Sequence, residues 1–155
     1  QAGVAGAASQ FAHEMPLNAG MINSSLARDG CIPGFGAFGT AKGVCALLGA
    51  AARGEMGPLA ALKASSGTEV SAVYGERVWA RGLQVYDCSG GTEAHVLGLH
   101  SFGGSFAFLC PRSASSVCIL LNDGQLDYSV TRRILDVVSE ELGIGQIDFL
   151  GGGLF

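Results

Sequence analysis

The sequence predicts an α+β domain: an antiparallel sheet of about five strands with helices packed on it. Three observations lead there. Between residues 69 and 121, β-prone apolar residues recur with a period near two, in short runs broken by glycine-rich turns. Only a few residues join consecutive runs, whereas a parallel crossover needs a dozen or more. On both sides of this stretch, apolar residues recur at three- and four-residue spacing, which is the helical period.

Residues 1–32 show little clean period. Residues 5–11 suit a helical end, closed by His13-Glu14-Met15-Pro16, because the residue before a proline is pushed out of the helical region. Residues 18–28 suit a short helix or a loop, with Asp29-Gly30 as a turn. The clearest helix is expected at 40–52, where Val44, Leu47, Leu48 and Ala51 share one face. Thr40 can cap its start, and Arg53-Gly54 supplies a cation and a stop. Gly43 and Gly49 leave it a slim surface for close packing. Gly57-Pro58 opens a second short helix at 56–63, since proline is welcome in a first turn. Residues 64–68 read as a polar loop.

Strands are expected at 69–74, 82–87, 94–99, 105–110 and 116–121, punctuated by Gly75, Gly82, the CSGG run at 88–91 and a turn from Pro111. Asn122-Asp123-Gly124 is a strong turn. Asp127 or Ser129 can then cap a closing helix, whose Leu126, Val130, Ile134, Val137, Val138 and Leu142 fall on one stripe. Arg132 and Arg133 come early and Glu140 and Glu141 late, against the macrodipole, so packing must hold this helix. Gly143 ends it, and Ile147 and Phe149 are candidate anchors for the tail.

The 155 residues suit one domain spanning 1–155. Hydrophobic residues make up 48% and charged residues only 14%, with 25 glycines. Charge so far below the usual quarter suits a domain covered by a partner, or part of something larger. A net charge of −4 with scattered basic residues gives no electrostatic reason to expect nucleic acid. No apolar run approaches the roughly 18–20 residues that span a bilayer, so no membrane span is expected. The first residues lack both an initiator methionine and the regions of a signal peptide, as a cut inside a longer chain would. The five cysteines show no C-x-x-C spacing and read as small buried hydrophobes, which favours a reducing, cytoplasmic setting. Without a His-x-x-x-His or Cys/His cluster, no metal is expected.

Polar side chains and glycines crowd together inside a strand context at one place: His100, Ser101, Gly103 and Gly104. Glycine weakens a strand and often marks close approach by a ligand or another backbone. A histidine exchanges protons near neutrality, while neither Ser101 nor Ser105 sits in a Gly-x-Ser-x-Gly elbow. His95 with Glu93 reads as decoration of a surface strand. Trp79 and Phe102 suit either a pocket wall or the core.

The order of these stretches resembles the last part of the β-lactamase-related serine hydrolases, which include class C β-lactamases, D-alanyl-D-alanine carboxypeptidases and related esterases. Three segments carry the resemblance. IPGFGAFGTAKGVCALLGAAARG at 32–54 is similar to the family's loop leading into a helix that ends in Ala-x-Gly. RGLQV at 81–85 looks like its Gly-x-Gly-Trp/Phe strand, and LGLHSFGGSFAFLCP at 97–111 resembles its Gly-His-x-Gly-x-x-Gly-Ser strand. Asn122 matches the asparagine that closes the next strand. The resemblance covers about residues 32–147 and implies the C-terminal part of a β-lactamase/transpeptidase-like fold. It also implies serine acylation and hydrolysis of a small ester or amide, with no cofactor.

The family's serine comes from a Ser-x-x-Lys helix and is helped by a Tyr-x-Asn loop. Here Gly39 and Ala60 stand three before Lys42 and Lys63, and none of Tyr74, Tyr86 and Tyr128 has asparagine two later. The third element, Lys/His-x-Gly, is altered. Aligned without a gap, it falls on Leu99-His100-Ser101, and the Phe102 backbone N–H takes the place of an oxyanion donor. With a one-residue deletion it becomes His100-Ser101, and His100 keeps the role near the substrate carboxylate. His100, Ser101 and Phe102 are therefore the candidate catalytic residues. The expectation is a fragment or degenerate member of the family, inactive alone, that self-associates or pairs with a missing N-terminal half. The alternative is a non-catalytic binding or interaction module.

Overall fold

The structure, a computed structural model, describes residues 24–30, 37–56, 67–71, 75–80, 82–101, 103–122 and 128–148. The chain divides into two compact units, Gln1–Thr40 and Ala41–Phe155. In the first unit a short helix α1 (Ser25–Asp29) meets the expectation for residues 18–28, and the Arg28 guanidinium carbon lies 5.6 Å from the centroid of the Phe38 ring. The expected helical end at 5–11 lies outside the described residues.

The second unit is α+β, as expected. Helix α2 (Ala41–Ala52) is followed by six strands laid side by side in chain order: β1 (Gly67–Ser71), β2 (Gly75–Ala80), β3 (Leu83–Ser89), β4 (His95–His100), β5 (Phe106–Cys110) and β6 (Ser115–Ile119). All neighbours are antiparallel. Helix α3 (Ser129–Leu142) follows, and then a two-residue strand β7 (Gln146–Ile147). β7 pairs with Cys88 and Ser89 at the end of β3, while β2 pairs with Leu83 and Gln84 at its start. The two share one edge of β3, so among the described residues the sheet has seven strands, β2 and β7 being additional to the expected five.

β2 is the main departure from the expected pattern. Residues 75–80 alternate poorly because Arg77 stands where an apolar residue would mark the inner face, yet Ser71 pairs directly with Gly75 to start a second strand. Gly67 and Thr68 belong to β1 rather than to a loop. The helix expected at 56–63 lies, apart from Met56, outside the described residues, as do Asp123, Gly124, Leu126, Asp127 and Phe149.

The sheet is covered on both faces. On one, Tyr86, Val96, Phe106, Phe108, Cys110 and Ile119 pack with Tyr128, Leu135, Ile144 and Ile147 from α3 and its flanks. On the other, Leu97 and Leu109 pack under Leu48 of α2. Strand alternation produces the division: Leu97 and Leu109 are paired neighbours and point away from Val96 and Cys110. The buried line of α3 is Thr131, Leu135 and Ser139, flanked by half-buried Ile134 and Val138. Val137 is 61% exposed and Leu142 44%, so the expected stripe is corrected by about one position. Consecutive residues on a helix are separated by about 100°, and Val137 and Val138 cannot both face the sheet squarely.

Gly143 ends α3 in the left-handed region with φ 62. Its N–H donates to the Glu140 carbonyl at 3.2 Å, and that of Ile144 to the Ser139 carbonyl at 3.1 Å. This paired closure satisfies two of the last carbonyls and drops Ile144, fully buried, into the core. Tyr128 precedes the helix at φ 53 without a side-chain cap, where Asp127 or Ser129 was expected to serve.

Candidate functional site

His100 ends β4, and its side chain lies on the face covered by α3. The pairing of Tyr86 with Val96 and of Gln84 with Gly98 puts Tyr86, Gln84 and His100 on that same face. The Tyr86 hydroxyl lies 2.7 Å from His100 Nδ1. The Tyr128 ring meets the imidazole edge-on at 6.2 Å, and the Phe106 ring meets Tyr86 in the same way at 4.9 Å. Arg77, buried on β2, donates from Nη1 to the Gln84 side-chain carbonyl.

The electrostatics keep both partners neutral. Burial, and secondarily the Arg77 charge, holds His100 down to about 4. Burial pushes the Tyr86 hydroxyl up, outweighing the opposing pull of Arg77. The Tyr86 hydroxyl and Nδ1 thus share a hydrogen bond between two neutral groups. This arrangement gives a pH-dependent stability. Because the folded value lies below the ordinary 6.5, the unfolded chain takes up a proton first as pH falls. The stabilisation is fully present above pH 6.5 and is lost on the way to about pH 4. Discounted for solvent screening of a half-exposed ring, it amounts to about 1–2 kcal/mol. His100→Asn keeps a hydrogen-bonding group for Tyr86 and cannot titrate. The difference between unfolding free energies from urea titrations at pH 7 and 4.5 is expected to shrink in this variant by about that amount. An unchanged pH slope would remove His100 from the account.

The other candidates fall elsewhere. Ser101 is exposed, and strand alternation turns it away from the His100 face. Its backbone is committed, with the N–H donating to the Ser105 carbonyl at 2.8 Å and the carbonyl accepting from Gly104 N–H at 3.1 Å. These bonds close the β4–β5 hairpin. Phe102 lies outside the described residues. The Ser105 hydroxyl accepts the Leu121 N–H at 2.9 Å, a link between strand ends.

Gly104 has a structural reason to be glycine. Its φ is +86, and a Cβ there would lie 2.9 Å from Thr131 Oγ1 and 3.1 Å from Leu121 Cδ1. Thr131 Oγ1 donates to the Gly104 carbonyl, pinning the hairpin to α3. The close approach that the glycines signalled is thus made, at Gly104, by the molecule's own helix.

His95 is exposed, as expected, but Glu93 is only 4% exposed, which corrects its reading as surface decoration. Its carboxylate accepts from the backbone N–H of Ser113 at 2.8 Å and of Arg112 at 3.2 Å, holding the β5–β6 turn. Trp79 is half-buried, with its indole N–H buried and without a hydrogen-bond acceptor among the described residues.

An open cleft of about 620 Å³ lies between the end of β3, β7 and α3, lined by Asp87, Ser89, Arg132, Asp136, Gln146 and Asp148 among others. It does not serve His100. Asp87 pairs with His95, so the cleft lies at the opposite end of β4, five strand steps or roughly 17 Å away. Among the described residues no group of three or more His, Cys, Asp or Glu could hold a metal ion, and no helix is long and apolar enough to cross a membrane.

No family model, curated protein or solved structure matches the chain.

Proposed function

We propose that the chain is a partial or degenerate relative of the β-lactamase-related serine hydrolases, without hydrolytic activity of its own. The observation that carries this reading is the partner of His100: the hydroxyl on Nδ1 belongs to a buried tyrosine whose proton burial makes hard to remove. Serine acylation needs a hydroxyl whose proton a neighbouring base takes as the bond forms. Ser101 points off the other strand face, and the large cleft lies at the far end of β4. The antiparallel run of strands followed by a closing amphipathic helix also supports the reading, because it is the order the resemblance implies. Ester or amide hydrolysis would then require a serine and base from sequence beyond this chain.

A chromogenic acyl ester and a serine-directed acylating probe test the proposal. Turnover no higher than that of His100→Ala, and no covalent mass increase, are the expected results. A stoichiometric adduct on any serine of the folded chain would overturn the inactivity.

The alternative reading is a binding or interaction module. It is favoured by Val78 and Leu99, 44% and 49% exposed on the sheet face that α2 only partly covers. A copy-to-copy contact through this face would appear as a concentration-dependent mass in sedimentation, abolished by Leu99→Glu.

A further inference from the structure

Helix α2 lies unusually close to edge strand β6. A Cβ added to Gly49 would stand 3.2 Å from Ser116 Oγ, so the absence of a side chain there lets the two elements approach. One turn earlier, Cys45 is tied to the same serine three ways. Ser116 Oγ donates to the Cys45 carbonyl at 2.8 Å, and Cys45 Sγ lies 3.2 Å from both the Ser116 carbonyl and its hydroxyl.

Cys118 is two residues farther along β6, and residues two apart project from the same strand face. The pairing of Cys118 with Ala107 confirms that side, because Ala107 packs in the cluster beneath α2. Both thiols are free and half-buried, hence within reach of a small oxidant. Burial, and secondarily the neighbouring Cys45, pushes the Cys118 thiol up.

We propose that Cys45 and Cys118 form a paired oxidation site, in which a hydroperoxide converts the two thiols into a disulfide that staples α2 to β6. In the first step one thiolate attacks the peroxide oxygen, the O–O bond breaks, and that sulfur becomes a sulfenic acid as hydroxide leaves, taking up the proton the thiol released to become water. The second thiolate then displaces hydroxide from the sulfenic sulfur, forming the S–S bond. In total, two thiols lose two electrons and two protons, and one hydrogen peroxide becomes two waters. Closure requires the Cys45 sulfur to leave Ser116 and turn along the strand, so the bridge exchanges a sulfur–serine contact for a covalent one.

The test uses the full chain, fully reduced, then treated with stoichiometric hydrogen peroxide and digested without reductant. The expected result is a peptide pair joined through Cys45 and Cys118 within one molecule. The titratable thiols of the denatured protein should fall from five to three and be restored by dithiothreitol. Cys45→Ser and Cys118→Ser should each abolish that peptide, and in urea, where the fold no longer aligns the pair, its yield should collapse. Oxidation of either sulfur to unlinked sulfinic acid would overturn the proposal, as would a bridge to another cysteine or between two copies.

Discussion

Gly98→Ala is expected to destabilise the fold by about 3 kcal/mol or more, lowering the urea midpoint by roughly 1–2 M. Gly98 sits in the middle of β4, paired to Gln84 on one side and Phe108 on the other. A Cβ at this position would lie 2.7 Å from Phe108 Cβ and 2.9 Å from its Cα, and would run into the Ala107 carbonyl oxygen. Those atoms belong to β5, held on both sides by β4 and β6, so they cannot yield as the tip of a flexible side chain would. The damage should reach His100 through the aromatic row, in which Phe108 tilts against Phe106 at 5.0 Å and Phe106 against Tyr86 at 4.9 Å. The variant should therefore also lose the pH-dependent stability assigned to His100. A midpoint within a few tenths molar of the parent would mean that β4 and β5 are spaced differently.

Much of this architecture was legible in the sequence where one kind of residue dominates a period. The strands from β3 to β6 announced themselves through alternation and short turns, and α2 through its spacing at Val44, Leu48 and Ala51, although Leu47, expected on the same face, is 55% exposed. β2 did not, because a buried arginine occupies an inner position and erases the apolar mark. The face of α3 was misjudged for a related reason. Its deepest line holds Thr131 and Ser139, which a hydrophobic pattern ignores, while Val137 is apolar and exposed. The Thr131 hydroxyl belongs there because Gly104 offers it a carbonyl, a fact of tertiary contact rather than of period.

The histidine site shows a sharper limit. His100 stood out as a lone histidine in a glycine-rich strand, but its partner lies 14 residues earlier on the neighbouring strand. Tyr86 is not marked by any motif; only the pairing register brings the two together. The same register fixes the face that His100 occupies. It shares that face with Tyr86, Phe106 and Tyr128, and Leu99 lies on the other. Any substrate approaching His100 must therefore contend with aromatic rings that already pack around it.

Glu93→Ala is the second large effect, with an expected loss of about 2–3 kcal/mol against about 1 kcal/mol for Glu93→Gln. The carboxylate is almost fully buried and accepts two backbone N–H groups across a separation of about twenty residues, while Arg112 also donates from Nη1 to the Thr92 carbonyl at 3.1 Å. Alanine leaves both amides without their acceptor, whereas glutamine retains one carbonyl oxygen for them and turns an NH2 where an acceptor is needed. If Glu93 acted only by filling space, the two variants would order by volume, and exchange at the turn would be unaltered. The anchoring role instead requires the Arg112 and Ser113 amides to exchange faster in both variants, most in Glu93→Ala, while the β3–β4 ladder stays protected. Because this turn feeds directly into β6, the looser turn should also lower the yield of the Cys45–Cys118 linkage under peroxide, coupling a buried carboxylate in the β3–β4 turn to a thiol pair between α2 and β6.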